Sequence, residues 1–225
     1  MTSQDVPPPT PPRERRGLAE KRASITQGAL VVFGRDGYTR ASIDAIAAEA
    51  GVSTRTIYNH FEDKQQLFLS VIQQSATRVA AAQIGLLDRY LERVTDLEAD
   101  LVALGCAWTK PMAEFTDHFA LVRQINAEVG HFPQAGLDAW QETGPRRVHR
   151  ELALRLRRLA DEGRLAIGDA DRAATHFVLL VGSELTSRSY FGAIPFEESE
   201  VTEIVTAGVR TFLHGYLGPP PATAP

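Results

Sequence analysis

The sequence contains little cysteine and no long apolar run. Cys106 is the only cysteine among 225 residues, so neither an internal disulfide nor a cysteine-based metal cluster can form. The longest apolar stretches, such as 177–182, are far shorter than the roughly 18–20 residues that cross a bilayer. The N-terminus lacks the apolar core of a signal peptide. These absences predict a cytoplasmic protein with no membrane span and no metal site.

Motifs of the common enzyme classes are also missing. The sequence has no GxGxxG, GxxxxGKS/T, HExxH or GxSxG pattern. Cys106 lies in an apolar helical stretch, which predicts an inert thiol. His118 and His149 stand apart from other metal-ligating residues. We therefore expect neither catalysis nor a cofactor.

Charge is distributed unevenly along the chain. Apolar residues make up 44% and charged residues 23%, with a net charge of −4, which is typical of a globular protein. Residues 13–78 carry 10 Lys/Arg and 7 Asp/Glu, a balance of +3, whereas residues 79–225 carry 14 and 20, a balance of −6. A mildly basic N-terminal third is expected when only that part meets nucleic acid.

Both ends of the chain are rich in proline, as in VPPPTPP and GPPPATAP. Because proline fixes φ and removes a donor, we expect disordered tails over residues 1–12 and 217–225. Between them, apolar residues recur at three- and four-residue spacing, without period-two alternation. This pattern predicts an all-α protein of nine or ten helices, with one domain over 13–63 and a larger one over 64–216.

The stretch 37–64, GYTRASIDAIAAEAGVSTRTIYNHFEDK, has the pattern of a helix-turn-helix. Two short predicted helices flank AGVS, and Gly51 suits the left-handed conformation of the turn. Ser42 and Ser53 are placed to cap the two helices. Ile57 and Phe61 are predicted to be buried, which leaves the N-terminal half of the second helix free to enter a major groove.

The same stretch resembles the DNA-binding domain of the tetracycline-repressor (TetR) family of bacterial regulators. The resemblance covers about residues 15–75 and rests on GY at 37–38, SI and IA at 42–47, AGVS at 50–53, TIYNHF at 56–61, and Lys64 with LF at 67–68. It implies an N-terminal three-helix DNA-binding domain and a larger helical-bundle domain for ligand binding and dimerisation. Double-stranded DNA with a palindromic operator is the implied partner.

The resemblance and the pattern together predict the DNA-binding residues. Arg55 is suited to a bidentate contact with guanine, and Thr54 and Thr56 to base edges or phosphate. Tyr58 and His60 match positions that reach the sugar–phosphate backbone. The full predicted set is Ser42, Ser53, Thr54, Arg55, Thr56, Tyr58, Asn59, His60 and Lys64. Packing remains an alternative role for Tyr58 and His60.

The resemblance implies a small apolar effector in the larger domain, and the aromatic residues and methionine concentrated in its middle helices suit either a ligand pocket or plain core packing. The predicted lining is Trp108, Met112, Phe115, His118, Phe119, Trp140, Phe177 and Glu184. The last two helices carry wide apolar faces, which favours a homodimer through a four-helix interface. The predicted contacts are Phe177, Val181, Leu185, Val201, Val205, Val209 and Phe212.

These observations predict a dimeric transcriptional regulator, a repressor released from its operator when a ligand tilts the helix that begins at Lys64. Two alternatives stay open. One is a helix-turn-helix regulator controlled by a protein partner, or constitutive. The other is a helical enzyme with an accessory DNA-binding domain.

Overall fold

A computed structural model describes residues 13–132 and 134–216, and the two predicted tails lie outside them. Within these ranges the chain forms eleven α-helices and one 3-10 turn, and no strand. The helices are α1 (Arg13–Arg40), α2 (Ile43–Ala50), α3 (Thr54–Tyr58), α4 (Lys64–Leu91), α5 (Leu97–Trp108), α6 (Lys110–Glu114), α7 (Thr116–Glu128), α8 (Gln134–Thr143), α9 (Pro145–Asp161), α10 (Ala170–Arg188) and α11 (Glu198–Tyr216). The predicted all-α fold is confirmed.

The number of helices differs from the prediction: the described ranges form eleven α-helices, whereas nine or ten were predicted. The short helix α6 was not predicted; Pro111 lies in its first turn, where a missing backbone N–H costs nothing. A search of the described ranges finds no helix long and apolar enough to span a membrane.

Helices α1 to α4 surround one apolar core. Its buried side chains come from all four helices, for example Phe33, Ile46, Ile57 and Leu67. Ile57 and Phe61 are buried, at 1% and 2% exposure, as predicted. The core therefore holds α3 in place while the opposite side of that helix stays in contact with solvent.

The helix α4 belongs to both parts of the molecule. Its first turns contribute Leu67, Phe68 and Val71 to the N-terminal core. Its last turns contribute Leu87 and Leu91 to a second core built with α5, α9, α10 and α11. At about 1.5 Å per residue, its 28 residues extend roughly 42 Å. The proposed division at residue 64 thus marks the start of a shared helix.

The N-terminal core also extends across that division through α7. Leu121 and Ile125 of α7, and Phe132 just after the turn that follows it, are buried in the same cluster as Phe33 and Phe68. The rings of Phe68 and Phe132 stack with centroids 4.9 Å apart. The helix-turn-helix unit is therefore attached to the larger bundle along two helices, α4 and α7.

Candidate DNA-binding surface and ligand cavity

The helix-turn-helix is capped at both helices as the sequence predicts. The Ser42 hydroxyl accepts a hydrogen bond from the Ala45 N–H (3.1 Å), and the Ser53 hydroxyl accepts one from the Thr56 N–H (3.1 Å). Gly51 adopts a left-handed conformation (φ 65°, ψ 34°) between the two helices. These contacts satisfy backbone donors that a helix start leaves unpaired. They fix α3 relative to α2.

The solvent-facing side of α3 carries polar side chains. Arg55, Tyr58 and Asn59 are exposed, and Tyr58 reaches 55%. Thr54, Thr56 and His60 are half-buried. In the part of the chain that the structure describes, the Arg55 guanidinium is in no ion pair. Arg55 and Tyr58 are thus available to a DNA duplex, which agrees with their predicted positions.

Lys64 has a different environment from the one predicted. Its ammonium donates to the carbonyl oxygens of Tyr38 (2.9 Å) and Ala41 (3.1 Å), and lies 4.7 Å from the centre of the Tyr38 ring. These contacts occupy donors of the ammonium that a residue of the predicted DNA-binding set would offer to the duplex. Lys64 instead fastens the end of α1 to the start of α4.

Arg22 of α1 is a residue that the sequence did not single out. Its guanidinium donates to the His60 carbonyl oxygen (3.1 Å) and lies 4.3 Å from the centre of the Phe61 ring. Contacts of this kind hold the chain segment just after α3. A basic residue on the exposed face of a helix gave no sequence signal for this role.

The larger domain contains a cavity of about 480 Å³, which is within the range of small-molecule sites. It lies among α4 to α10. Its lining side chains are mainly apolar or aromatic: Ala76, Val79, Ala80, Gln83, Trp108, Met112, His118, Phe119, Val122, Trp140, Gln141, Pro145, Arg146, Val148, His149, Leu152, Val178, Thr186 and Phe191.

The structure places five of the predicted lining residues at this cavity: Trp108, Met112, His118, Phe119 and Trp140. Phe115, Phe177 and Glu184 lie outside the lining. Phe177 packs edge-on against Phe212 in the core, with centroids 5.3 Å apart. Glu184 is exposed and accepts a hydrogen bond from Arg188 (2.9 Å). Their assignment to the cavity is therefore corrected.

His118 is the most deeply buried polar residue of the cavity wall, with 7% of its surface exposed. Its Nδ1 lies 2.8 Å from the Ser75 hydroxyl of α4. Burial and, to a smaller extent, the positive charge of Arg78 together lower the pKa of His118 to about 4. His118 is consequently a neutral hydrogen-bonding group at neutral pH.

The predicted dimer contacts require a correction. Phe177, Val181, Leu185, Val205, Val209 and Phe212 are at most 2% exposed in the single chain. They form the interface between α10 and α11 and the rest of the bundle, so they cannot contact a second copy. Val201 is half-buried. The apolar residues that α10 does expose are Leu179 (55%) and Leu180 (38%).

In the described ranges, no group of three or more His, Cys, Asp or Glu side chains is arranged to hold a metal ion. The geometry instead describes a capped recognition helix with exposed polar residues and a separate apolar cavity. That combination defines a helix-turn-helix regulator.

Comparisons with known proteins agree. The family model of tetR-family bacterial regulatory proteins matches residues 25–71. The model of the AefR-like transcriptional repressor C-terminal domain matches residues 100–217, which is more than half of the chain. The chain therefore belongs to the TetR family of DNA-binding transcriptional regulators. The relatives and family models are regulators, not enzymes.

Individual relatives support this family. The chain is 28% identical over 200 residues to the transcriptional repressor AcnR of Corynebacterium efficiens, covering 84% of this chain and 92% of that protein. The match to AcnR of Corynebacterium diphtheriae is 34% identical but covers only 32% of this chain and 38% of that protein.

Solved structures share the whole architecture. A putative TetR-family regulator from Mesorhizobium loti superposes with a TM-score of 0.79 and 28% identity, over 88% of this chain and 98% of that one. The flavonoid-responsive regulator FrrA superposes with a TM-score of 0.62 and 29% identity, over 88% and 97%.

Proposed function

We propose that this protein is a dimeric repressor that binds a palindromic operator and leaves it when a small apolar ligand fills the cavity. The observation that carries the proposal is the pairing of an unobstructed recognition helix with an apolar cavity of about 480 Å³ in the same chain. One relative is named a repressor and one structural neighbour is named for its response to a small molecule.

The path from cavity to DNA runs through α4. Ala76, Val79, Ala80 and Gln83 of this helix line the cavity, and its first turns are buried against α1 and α3 in the N-terminal core. A ligand that favours one tilt of α4 changes the spacing of the two recognition helices in a dimer. Its effect is limited to its difference in affinity for the two arrangements.

The salt dependence of binding tests the DNA-binding part of the proposal. A dimer that neutralises about 6–10 phosphates loses roughly 10³–10⁵ in affinity between about 50 and 200 mM salt. We expect that loss in fluorescence anisotropy titrations with the duplex upstream of the gene, and much weaker binding to a scrambled duplex. Equal affinity for the two duplexes, followed by failure to select any sequence from random DNA, contradicts the proposal.

Dimerisation is expected to use the outer face of α10 and α11. This face presents Leu179 and Leu180 beside small residues such as Ser183 and Ala207, all at least partly exposed. Small side chains let two helix pairs approach closely, and a twofold axis brings each leucine against its own counterpart. The proposed interface residues thus lie on the outer side of α10, away from the side on which Phe177 and Val181 are buried in the core.

The change Leu179→Glu is expected to convert the dimer to a monomer, because it buries two unpaired carboxylates across the twofold axis. Light scattering after gel filtration measures the mass. The matched control is Leu154→Glu on α9, where an equally exposed leucine (64%) lies on another face and the dimer is expected to persist. A Leu179→Glu protein of unchanged mass contradicts this interface.

A further inference from the structure

The cavity wall is unusually rich in rings. Trp108, Phe119, Trp140 and Phe191 line it from four separate segments, and the imidazoles of His118 and His149 lie among them. Aromatic faces and edges attract one another in stacked or edge-on geometries, beyond the effect of apolar area alone. A wall of this composition favours a flat aromatic ligand over a flexible acyl chain.

The charged side chain in the same wall is already paired with a carboxylate. Arg146 is the charged side chain in the lining, and its guanidinium donates to the Glu142 carboxylate at 2.8 Å in an exposed ion pair. His118 is neutral at neutral pH, since burial lowers its pKa to about 4. Because an unpaired charge is costly to bury, the lining favours a neutral occupant.

Hydrogen-bond donors remain unused around the cavity. The Ser75 hydroxyl is 1% exposed and lies 2.8 Å from His118 Nδ1; donation by the hydroxyl to Nδ1 is the arrangement in which its proton has a partner in the described chain. The imidazole proton is then on Nε2. The indole N–H of Trp140 is buried without an acceptor in the described residues, and the Gln83 amide lines the cavity.

We infer that the cavity binds a neutral, flat aromatic compound whose carbonyl or hydroxyl oxygen accepts a hydrogen bond from His118 Nε2. Ring stacking supplies the affinity, and the buried donor selects compounds that carry an acceptor oxygen. This inference concerns only which compound occupies the cavity. The release of DNA by that compound rests on the proposed function.

Four probes test the inference on the full-length protein by titration calorimetry. They are flavone, which is neutral with a ring carbonyl; flavan, which lacks the carbonyl; a flavone carboxylate; and dodecanoate. We expect flavone to bind roughly tenfold more tightly than flavan, which is the typical net effect of one hydrogen bond. Both anions are expected to bind at least about a hundredfold more weakly than flavone, as unpaired buried charges. Equal or tighter binding of either anion overturns the inference, as does the absence of flavone binding.

Intrinsic fluorescence locates the bound probe. The chain contains two tryptophans, and both of them line the cavity. Flavone that contacts these indoles in the cavity is expected to quench most of the emission with the calorimetric affinity. Calorimetric binding without quenching places flavone elsewhere and overturns the assignment.

The variant His118→Phe tests the donor, since it keeps a ring of similar size and removes the imidazole proton. We expect the preference for flavone over flavan to fall to about one, while flavan binding is retained. His214→Phe on the exposed face of α11 is the matched control and should keep the tenfold preference. If His118→Phe fails to unfold cooperatively, His118→Leu replaces it, and a flavone preference that is unchanged in the folded variant overturns the role of the donor.

Anisotropy with operator DNA separates this inference from the proposed function. Flavone that binds with the expected selectivity but leaves the DNA complex intact overturns ligand release and supports the cavity assignment. Release by dodecanoate, with no release by flavone, supports a ligand-controlled repressor and overturns the aromatic occupant.

Discussion

Replacing Gly208 with alanine is expected to lower the free energy of unfolding by about 2–3 kcal/mol, which is the upper part of the range for overpacking a well-filled core. A Cβ atom at Gly208 of α11 would lie 2.2 Å from the Leu180 carbonyl oxygen and 3.1 Å from the Val181 Cα. Both are backbone atoms of α10, so the clash is relieved only by separating the two helices.

Gly85→Ala is the matched control. Gly85 lies within α4, and an added Cβ meets nothing within 4 Å. Alanine is the better helix former, so this change is expected to raise stability by about 0.5–1 kcal/mol. Urea unfolding at one fixed protein concentration compares the two variants, because the proposed dimerisation would make stability depend on concentration. Equal stabilities would show that α10 and α11 do not approach each other as closely as the structure indicates.

Arg55→Ala is expected to weaken operator binding by about 1–3 kcal/mol for each half-site, the typical effect of losing one bidentate contact with a base. A dimer presents this side chain twice, so the affinity falls by roughly 30-fold to 10⁴-fold. The expectation follows from the exposure of Arg55 on α3 and from its freedom from ion pairs within the described chain. Anisotropy titrations at one salt concentration measure the effect.

The matched control is Arg93→Ala. Arg93 is also exposed but follows α4 at the end remote from the helix-turn-helix. The Arg93→Ala change removes the same charge as Arg55→Ala. It is expected to leave operator affinity within about twofold, because exposed charges that lie more than a Debye length from the DNA are largely screened. If Arg55→Ala weakens operator and scrambled duplex equally, Arg55 contacts phosphate rather than a base edge.

The helix-turn-helix could be located from sequence because its determinants are local. Ser42, Gly51 and Ser53 each specify one backbone conformation or one cap, and each occupies the predicted position. Lys64 could not be placed in this way. Its ammonium binds carbonyl groups more than 20 residues earlier in the chain, and only the tertiary fold brings those groups together.

The dimer contacts predicted from the sequence lie on the buried side of α10 and α11, and there is a physical reason for this error. The most apolar stripe of an amphipathic helix packs into the core of its own chain first, as Val205 and Phe212 do. The outer face that we propose for the subunit interface then carries the weaker stripe, represented here by the exposed Leu179 and Leu180. The periodicity of a sequence identifies the stronger stripe and gives little information about the weaker one.

The sequence analysis identified several of the large residues that line the cavity but none of the small ones. Trp108 and Trp140 were recognisable as lining, whereas Ala76 and Ala80 of α4 gave no signal although they line the same space. A cavity exists where side chains are short relative to the distance between helices, and that distance is set by the whole bundle. Sequence alone contains the side-chain volumes but not the distances.

The attachment of the DNA-binding unit along α7 determines how regulators of this design can be recombined. The Glu128 carboxylate accepts hydrogen bonds from the Thr39 N–H (3.2 Å) and hydroxyl (3.1 Å), and Leu121 and Ile125 complete the apolar core beside Phe33. A hybrid repressor spliced at residue 63 would keep its connecting helix yet lose these partners. Engineers who transplant the operator specificity of this protein onto another sensor must therefore graft the facing side of α7 along with it.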